Sequence, residues 1–344
     1  MALCLAQPLA AQEPTPPPPP PPEAYVCKPI PDPVVTLDHG SRYIAKDKSR
    51  SEFDSASNAD VNAQLKPVDD FISTLASAAN HAASSETDQL VAAECVLAGL
   101  AAWAEADALS ELGTMNAQLS APSRVAGLAF AFAQVQPLLP ASDDKARVEH
   151  WLAARALATM DYFDTEAPKN ASRNNLRAWA ALAVARVGLT VGDQAMIDWA
   201  DASVQVMVCS AAEDGSLPLE MARKDLALHY QLHAVAPLVV TAALLQPEGH
   251  DLFSACDGAL HRLVDFVLAA FDDPSLVEGI TGHEQSYFNG KEDLRGFEMA
   301  WADAYLSLFE NPELAKFTEQ FVPLGNSKLG GEQSLIWASA DGQN

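Results

Sequence analysis

Positive charge is scarce in this chain: 21 Lys and Arg stand against 46 Asp and Glu among 344 residues, a formal net charge of −25. So acidic a surface opposes the phosphate neutralisation on which nucleic-acid binding depends, and it disfavours anionic membranes for the same reason. Long apolar runs are missing too. No stretch of about 18 consecutive apolar residues occurs, so no membrane-spanning helix is expected and the chain reads as soluble. None of the five cysteines (Cys4, Cys27, Cys95, Cys209, Cys256) belongs to a CxxC pair, which argues against a structural zinc site. No metal or other cofactor is expected. Strand-like alternation is nearly absent. Apolar residues still make up 49% of the chain and charged residues 19%, enough to bury a core and to exclude general disorder.

The first residues, MALCLAQPLAAQ, look like the apolar and small-residue end of a secretory signal peptide with cleavage near Ala10 or Ala11, although a basic n-region is lacking. The expected location is therefore periplasmic or secreted. Export permits disulfides, and the four cysteines after Cys4 allow two bridges in three connectivities or remain as buried thiols. Pro14 and Pro16 to Pro22 form an extended polyproline II spacer. Residues 1–24 thus read as leader and spacer, and 25–344 as one folded domain.

From about residue 57 the pattern is helical, with Ala and Leu dominant and breaks at Pro122, Pro140, Pro168, Pro218, Pro247 and Pro274. Helices are expected over 91–109, 145–164, 173–190, 193–211, 219–245, 251–271 and 295–308. Long helices with short connections predict an all-α fold, an incomplete (α/α) toroid of helical hairpins acting as a monomer.

Three segments carry polar groups that invite a chemical reading. In LEMARKDLALHYQLHAV, Arg223 and Tyr230 are seven residues apart, which on one helix returns them to nearly the same direction about 10 Å apart. Glu220 and His233 extend the stripe. The plain alternative is a solvated face with a Glu220–Arg223 ion pair, with Tyr230, His229 and His233 as packing residues. In KNASRNNLRAW, Ser172 or Asn170 is the expected cap, leaving Asn174 and Asn175 in a first turn suited to a carboxylate. In SRYIAKDKSRSEFD, residues 41–54, the basic residues Arg42, Lys46, Lys48 and Arg50 crowd together, either as a solvated loop or as a patch for a polyanion.

Together these segments resemble the polymannuronate (alginate) lyase family of (α/α)-toroid polysaccharide lyases, over most of the chain. SRYIAKDKSRSEFD resembles the family's lid loop, which implies that Arg42, Tyr43 and Lys48 meet substrate. ECVLAGLAAWAEADAL resembles a helix whose tryptophan, here Trp103, lines the sugar cleft. RNNLRAW resembles the family's asparagine pair followed by histidine and, three places beyond it, tryptophan, so Asn175 falls on the carboxylate-binding asparagine beside Asn174. LEMARKDLALHY resembles the helix that supplies an arginine and the catalytic tyrosine, which places those roles on Arg223 and Tyr230. The family histidine is Leu176 here, and Arg177, His229 and His233 are the candidates to replace it. Cys27 and Cys95 lie in segments resembling those that the family can bridge. Glucuronan lyases share the toroid and a similar toolkit.

The resemblance implies an anionic β-1,4-polyuronate as substrate, cut by removal of the C5 proton and expulsion of the C4 oxygen. Asn175 and Arg223 would neutralise the sugar carboxylate, and Tyr230 would act as base and then acid, with Arg223 expected to lower its pKa. In mannuronate and glucuronate the C5 hydrogen and C4 oxygen lie on one side, so the elimination is syn; guluronate has C5 inverted. Two competing readings remain: a glycoside hydrolase using carboxylates such as Glu94, Asp214 and Glu220, and a non-catalytic polyuronate-binding protein.

Overall fold

A computed structural model describes residues 25–337. The signal-like segment, Cys4 and the proline run lie outside the described residues.

Helices form where Ala, Leu and Val recur at helical spacing, and side-chain caps set many of their starts. Asp54 caps α1 (Ser55–Ser84), followed by α2 (Gln89–Glu105). Thr114 caps α3 (Met115–Val135) and Ser142 caps α4 (Asp143–Thr165). Asn174 caps α5 (Asn175–Val191), which ends at Gly192 in the left-handed region (φ 73°), and Asp193 caps α6 (Gln194–Val208). Each of these caps accepts a backbone N–H that the first turn would otherwise leave unpaired. The short α7 (Pro218–Met221), α8 (Ala227–Leu245) and α9 (Ala255–Asp272) follow. Shorter pieces complete the chain: α10 (Ser275–Thr281), α11 (Ala302–Leu306), α12 (Pro312–Thr318) and α13 (Gln333–Ile336).

The helices pack in two layers. α1, α3, α5 and α8 form an inner row in which each touches the next, and α2, α4, α6 and α9 cover them from outside. This is the expected incomplete toroid of hairpins. A C-terminal turn at Ser327–Leu329 packs against α3 and α1. It fits because Gly127 has no side chain; a Cβ there would come within 3.2 Å of the Lys328 Cα. Among the described residues strands are limited to two-residue pairs, β1 (Thr36–Leu37) parallel to β2 (Glu111–Leu112) and β3 (Gly325–Asn326) antiparallel to β4 (Gly331–Glu332). Disulfides Cys27–Cys95 and Cys209–Cys256 tie the N-terminal segment to α2 and the end of α6 to the start of α9.

Two expectations need correction. The helix expected over 219–245 is broken. After α7 the chain passes through Arg223 into a 3-10 turn at Lys224–Leu226, with Lys224 at φ 55°, before α8 begins. Arg223 and Tyr230 are therefore not two turns apart on one helix. The helix expected over 295–308 reduces to a 3-10 turn at Gly296–Glu298 and the short α11. A third point concerns the membrane. Within Lys224–Glu248 an 18-residue window has a mean hydropathy of 1.4, long and apolar enough to cross a bilayer, because a few polar residues interrupt the run without lowering its average much. Most of that segment is α8, the inner helix wrapped by α5, α6 and α9, and its apolar surface is mostly buried.

Candidate active site

The N-terminal turns of three inner helices meet at one cavity of about 250 Å³. α3 contributes Leu119, Ser120, Ser123 and Arg124; α5 contributes Asn175, Leu176 and Trp179; α8 contributes His229, Tyr230 and His233. Helix N-termini carry partial positive charge, so their convergence favours an anion even in an acidic protein. The side chains reinforce this bias. Arg42, Arg50, Arg124, Arg223 and Lys328 line the cavity, and among the described residues no Asp or Glu does.

Arg223 and Tyr230 meet despite the break between them. The guanidinium carbon lies 3.4 Å from the centroid of the Tyr230 ring and 5.3 Å from that of Tyr43. The left-handed residue after Arg223 turns the chain back, which lets the guanidinium lie flat on the phenol. From the other side the lid segment closes down. Tyr43 pairs with Phe53 across a bridge, and its hydroxyl hydrogen-bonds that of Tyr230. The Arg50 carbonyl accepts from Arg223 Nε at 3.2 Å and Nη2 at 2.5 Å. The lid itself is knotted by Asp47, whose carboxylate accepts the backbone N–H groups of Ser49, Ser51 and Glu52, at 3.0, 2.6 and 2.9 Å. Arg42 donates to the side-chain oxygens of Asn58 and Asn62 on α1.

The Tyr230 phenol sits above its ordinary pKa. Burial raises it first and Tyr43 adds to this, while Arg223 pulls the other way. The expected depression by Arg223 is present as a contribution but is outweighed by burial and by Tyr43. His233 is neutral: enclosure, with His229, Lys328 and Arg223 nearby, pushes it down to about 3. Its Nδ1 accepts from Trp179 Nε1 at 3.0 Å, so the ring proton belongs on Nε2. His229 Nδ1 is instead engaged by Glu292 Oε1 at 2.7 Å. Lys328 is pushed down to about 8 by burial and by Arg124, with Asp69 3.7 Å away working in the opposite direction.

Asn175 is 1% exposed and Glu220 is wholly buried. The Asn175 backbone N–H donates to Glu220 Oε1 at 2.8 Å and Nδ2 donates to Oε2 at 2.9 Å. The acceptor at this helix start is thus a carboxyl group of the protein's own. Asn174, rather than Ser172 or Asn170, is the cap; its Oδ1 accepts the Leu176 N–H at 3.0 Å. Asn174 and Lys48 line a second groove with Lys169 that adjoins the first at Arg50, Leu176 and Arg223.

Two candidates lie elsewhere. Trp103 is fully buried, stacked on Phe71 with ring centroids 4.1 Å apart, and donates to the Pro31 carbonyl at 3.2 Å. It is a core residue, as a large aromatic on the inward face of an Ala-rich helix usually is. Arg177 points outward to Ser203 at 3.0 Å and Asp164 at 3.3 Å, with its guanidinium over Trp199, and does not reach the cavity. Arg124 and Lys328 were not singled out in the sequence. Arg124 left a signal as the lone charge in the apolar run SAPSRVAGLAF, whereas Lys328 reaches the site only through the C-terminal turn. A cation could be held by His229, Glu292 and Glu298, whose ligand atoms lie within 4.8 Å of one another. Both carboxylates already accept protein donors, Ser286 for Glu292 and Tyr287 and Arg295 for Glu298.

The alginate lyase family model matches residues 40–277, a span that contains the lid, the asparagine pair, Arg223 and Tyr230. The chain belongs to the alginate lyase family. Among its relatives are an alginate lyase of Pseudomonas syringae pv. syringae, 28% identical over 91% of this chain and 83% of that protein, and one of Pseudomonas aeruginosa, 26% identical over 92% and 86%. A polysaccharide lyase of Stenotrophomonas maltophilia is 32% identical over 71% of this chain and 72% of its own length. The fold matches alginate lyase A1-III from Sphingomonas species A1 with a TM-score of 0.75 at 23% identity, covering 92% of this chain and 88% of that one. A variant of A1-III complexed with a tetrasaccharide matches with a TM-score of 0.78 at 22% identity, covering 92% and 87%. This alginate lyase family member is a polysaccharide lyase with the toroid fold of A1-III.

Proposed function

We propose that this lyase depolymerises a β-1,4-linked polyuronate, polymannuronate or its C2 epimer polyglucuronate, by syn β-elimination at Tyr230. The observation that carries this reading is the cavity lining, which among the described residues has five cations and two tyrosines, Tyr43 and Tyr230, and no carboxylate. That lining suits an anionic sugar and leaves a two-carboxylate hydrolase without its pair. Glu94 and Asp214 are exposed away from the cavity, and Glu220 is sealed behind Asn175. The relatives named alginate lyases, and the tetrasaccharide complex of A1-III, support the same substrate class.

The chemistry runs from charge. A uronate carboxylate resists a second negative charge at its α-carbon, so donors must neutralise it before C5 can lose a proton. Arg223 supplies a cation and Asn175 an amide. His233 offers a neutral Nε2–H in the same cavity and takes over the part of the donor missing at Leu176, a role that Arg177 is turned too far away to fill. Tyr230 accepts the C5 proton as phenolate and returns it to the departing C4 oxygen. Burial and Tyr43 disfavour the phenolate and Arg223 favours it, so displacement of the Tyr43 hydroxyl by the sugar tips the balance toward ionisation. His229, fixed by Glu292, completes the wall beside Tyr230.

Cations continue on both sides of the reacting groups, Arg42, Arg124 and Lys328 in the main cavity and Lys48 and Lys169 in the adjoining groove. A polymer can therefore pass through, which favours internal cuts. The two disulfides fit an oxidising compartment, which supports action in the periplasm or outside the cell. Chromatography of digests of polymannuronate, polyglucuronate and polyguluronate tests the stereochemistry. Polyguluronate is expected to be the slowest, since its C5 hydrogen faces away from a base placed on the C4 oxygen's side. Fastest cleavage of polyguluronate would contradict syn elimination at Tyr230.

A further inference from the structure

Asn175 holds its amide the wrong way round for an anion. With Nδ2 held by Glu220 Oε2 at 2.9 Å, the remaining amide atom is Oδ1, which is buried with no hydrogen-bond partner. An acceptor oxygen repels a uronate carboxylate, whereas binding one requires the N–H end of the amide. The loss is serious here because Leu176 brings no donor of its own. Rotation of the amide by half a turn would cure the polarity. An ionised Glu220 forbids it, since Oδ1 would then face a carboxylate. A neutral Glu220 permits it: the carboxyl O–H donates to Oδ1, the other oxygen still accepts the Asn175 backbone N–H, and Nδ2 turns to the cavity.

We propose that Glu220 is a positioning residue whose bound proton turns the Asn175 amide, so that the lyase grips a uronate carboxylate only while Glu220 is neutral. The proposal rests on the polyuronate reading above. It balances simply, as one proton is taken from water when the polymer binds the ionised form and none is consumed in the reaction. The surroundings favour the neutral carboxyl. Glu220 is wholly enclosed, and burial pushes its pKa up to about 7 against the pull of the two Asn175 bonds and of Arg223. Arg223 is the charge from its own segment. α5 faces it with the uncharged Asn175. The cavity beyond holds Tyr230, the neutral His233 and the Glu292-paired His229 from α8, Arg42, Tyr43 and Arg50 from the lid, Arg124 from α3 and Lys328 from the C-terminal turn. An arriving uronate adds negative charge and favours the proton further.

Glu220→Gln tests this, because its amide permanently offers one donor to Oδ1 and one acceptor to the backbone N–H. On polymannuronate, wild-type KM is expected to climb as pH rises from about 6 to about 9, by up to roughly tenfold per pH unit once Glu220 has ionised. Glu220→Gln should flatten that climb, leaving only the shallower rise that comes as Lys328, pushed down to about 8, loses its charge, and Glu220→Ala should raise KM at every pH. A KM that climbs as steeply in Glu220→Gln as in the wild type would overturn the proposal. A second measurement needs no substrate: NMR of the wild-type protein should show the Asn175 side-chain NH2 signals shifting in step with titration of the Glu220 carboxyl. Asn175 signals that stay fixed while Glu220 titrates would overturn it as well. If the NMR shift occurs and no polyuronate is cut, the amide switch stands and the substrate reading fails.

Discussion

Tyr230→Phe is expected to lower kcat by about 10³-fold or more while polymer binding stays within about threefold of the wild type, the range expected when a positioned acid–base group is lost. The change removes one oxygen and keeps the ring beneath the Arg223 guanidinium, 3.4 Å away, so the cavity keeps its shape and its cations. It also frees the Tyr43 hydroxyl from its partner, which loosens the lid without dismantling the Asp47 knot. The measurement is turnover beside equilibrium binding of polymannuronate. A variant that keeps near-wild-type kcat removes Tyr230 from the reaction.

Arg223→Ala is expected to damage binding and turnover together, with kcat/KM falling by roughly 10³-fold, because three interactions end at once. On the proposed reading the sugar carboxylate loses a cation; Tyr230 loses the one neighbour that favours its phenolate, and the lid loses its clamp at the Arg50 carbonyl. Arg223→Lys restores the charge but neither the flat stacking on Tyr230 nor the paired donation to Arg50, so it should recover only part of the loss. Kinetics unchanged in Arg223→Ala would mean that the guanidinium serves the lid alone.

The toroid was legible because its helices announce themselves: Ala and Leu at helical spacing, with Gly, Pro and capping residues between them. Expected spans such as 145–164 and 173–190 fall close to α4 and α5. The failure at 219–245 has a physical cause. A lysine in the left-handed region at 224 carries no sequence signal, since helix propensity favours Lys in a helix interior, and only the packing around Arg223 demands the turn. Asn174 displaced Ser172 as cap for a similar reason, because the 3-10 turn at Ala171–Arg173 consumes the earlier positions.

In the site, Asn175, Arg223 and Tyr230 came forward through motif resemblance, and the spacing of Arg223 and Tyr230 alone favoured a solvated stripe. Glu220 was visible as the surface partner of Arg223 or as one of several candidate hydrolase carboxylates. Its actual place, under the N-terminus of α5, depends on two segments about 45 residues apart in sequence. Arg124 and Lys328 depend on longer closures still, between α3 and the C-terminal turn. Trp103 shows the opposite error, in which resemblance assigned a cleft to a side chain that the core had claimed.

The acidity of the whole chain and the positive lining of its cleft are not in conflict. The cations are gathered where α3, α5 and α8 begin, so the site's field reinforces the helix dipoles and is partly shielded from the surrounding negative surface. Whether that field serves elimination is decided most directly by following near-ultraviolet absorbance and new reducing ends together while the wild-type protein digests polymannuronate or polyglucuronate. Elimination predicts one unsaturated C4=C5 terminus for every chain cut, so the two signals rise in proportion. Reducing ends that accumulate with no gain in absorbance would contradict it.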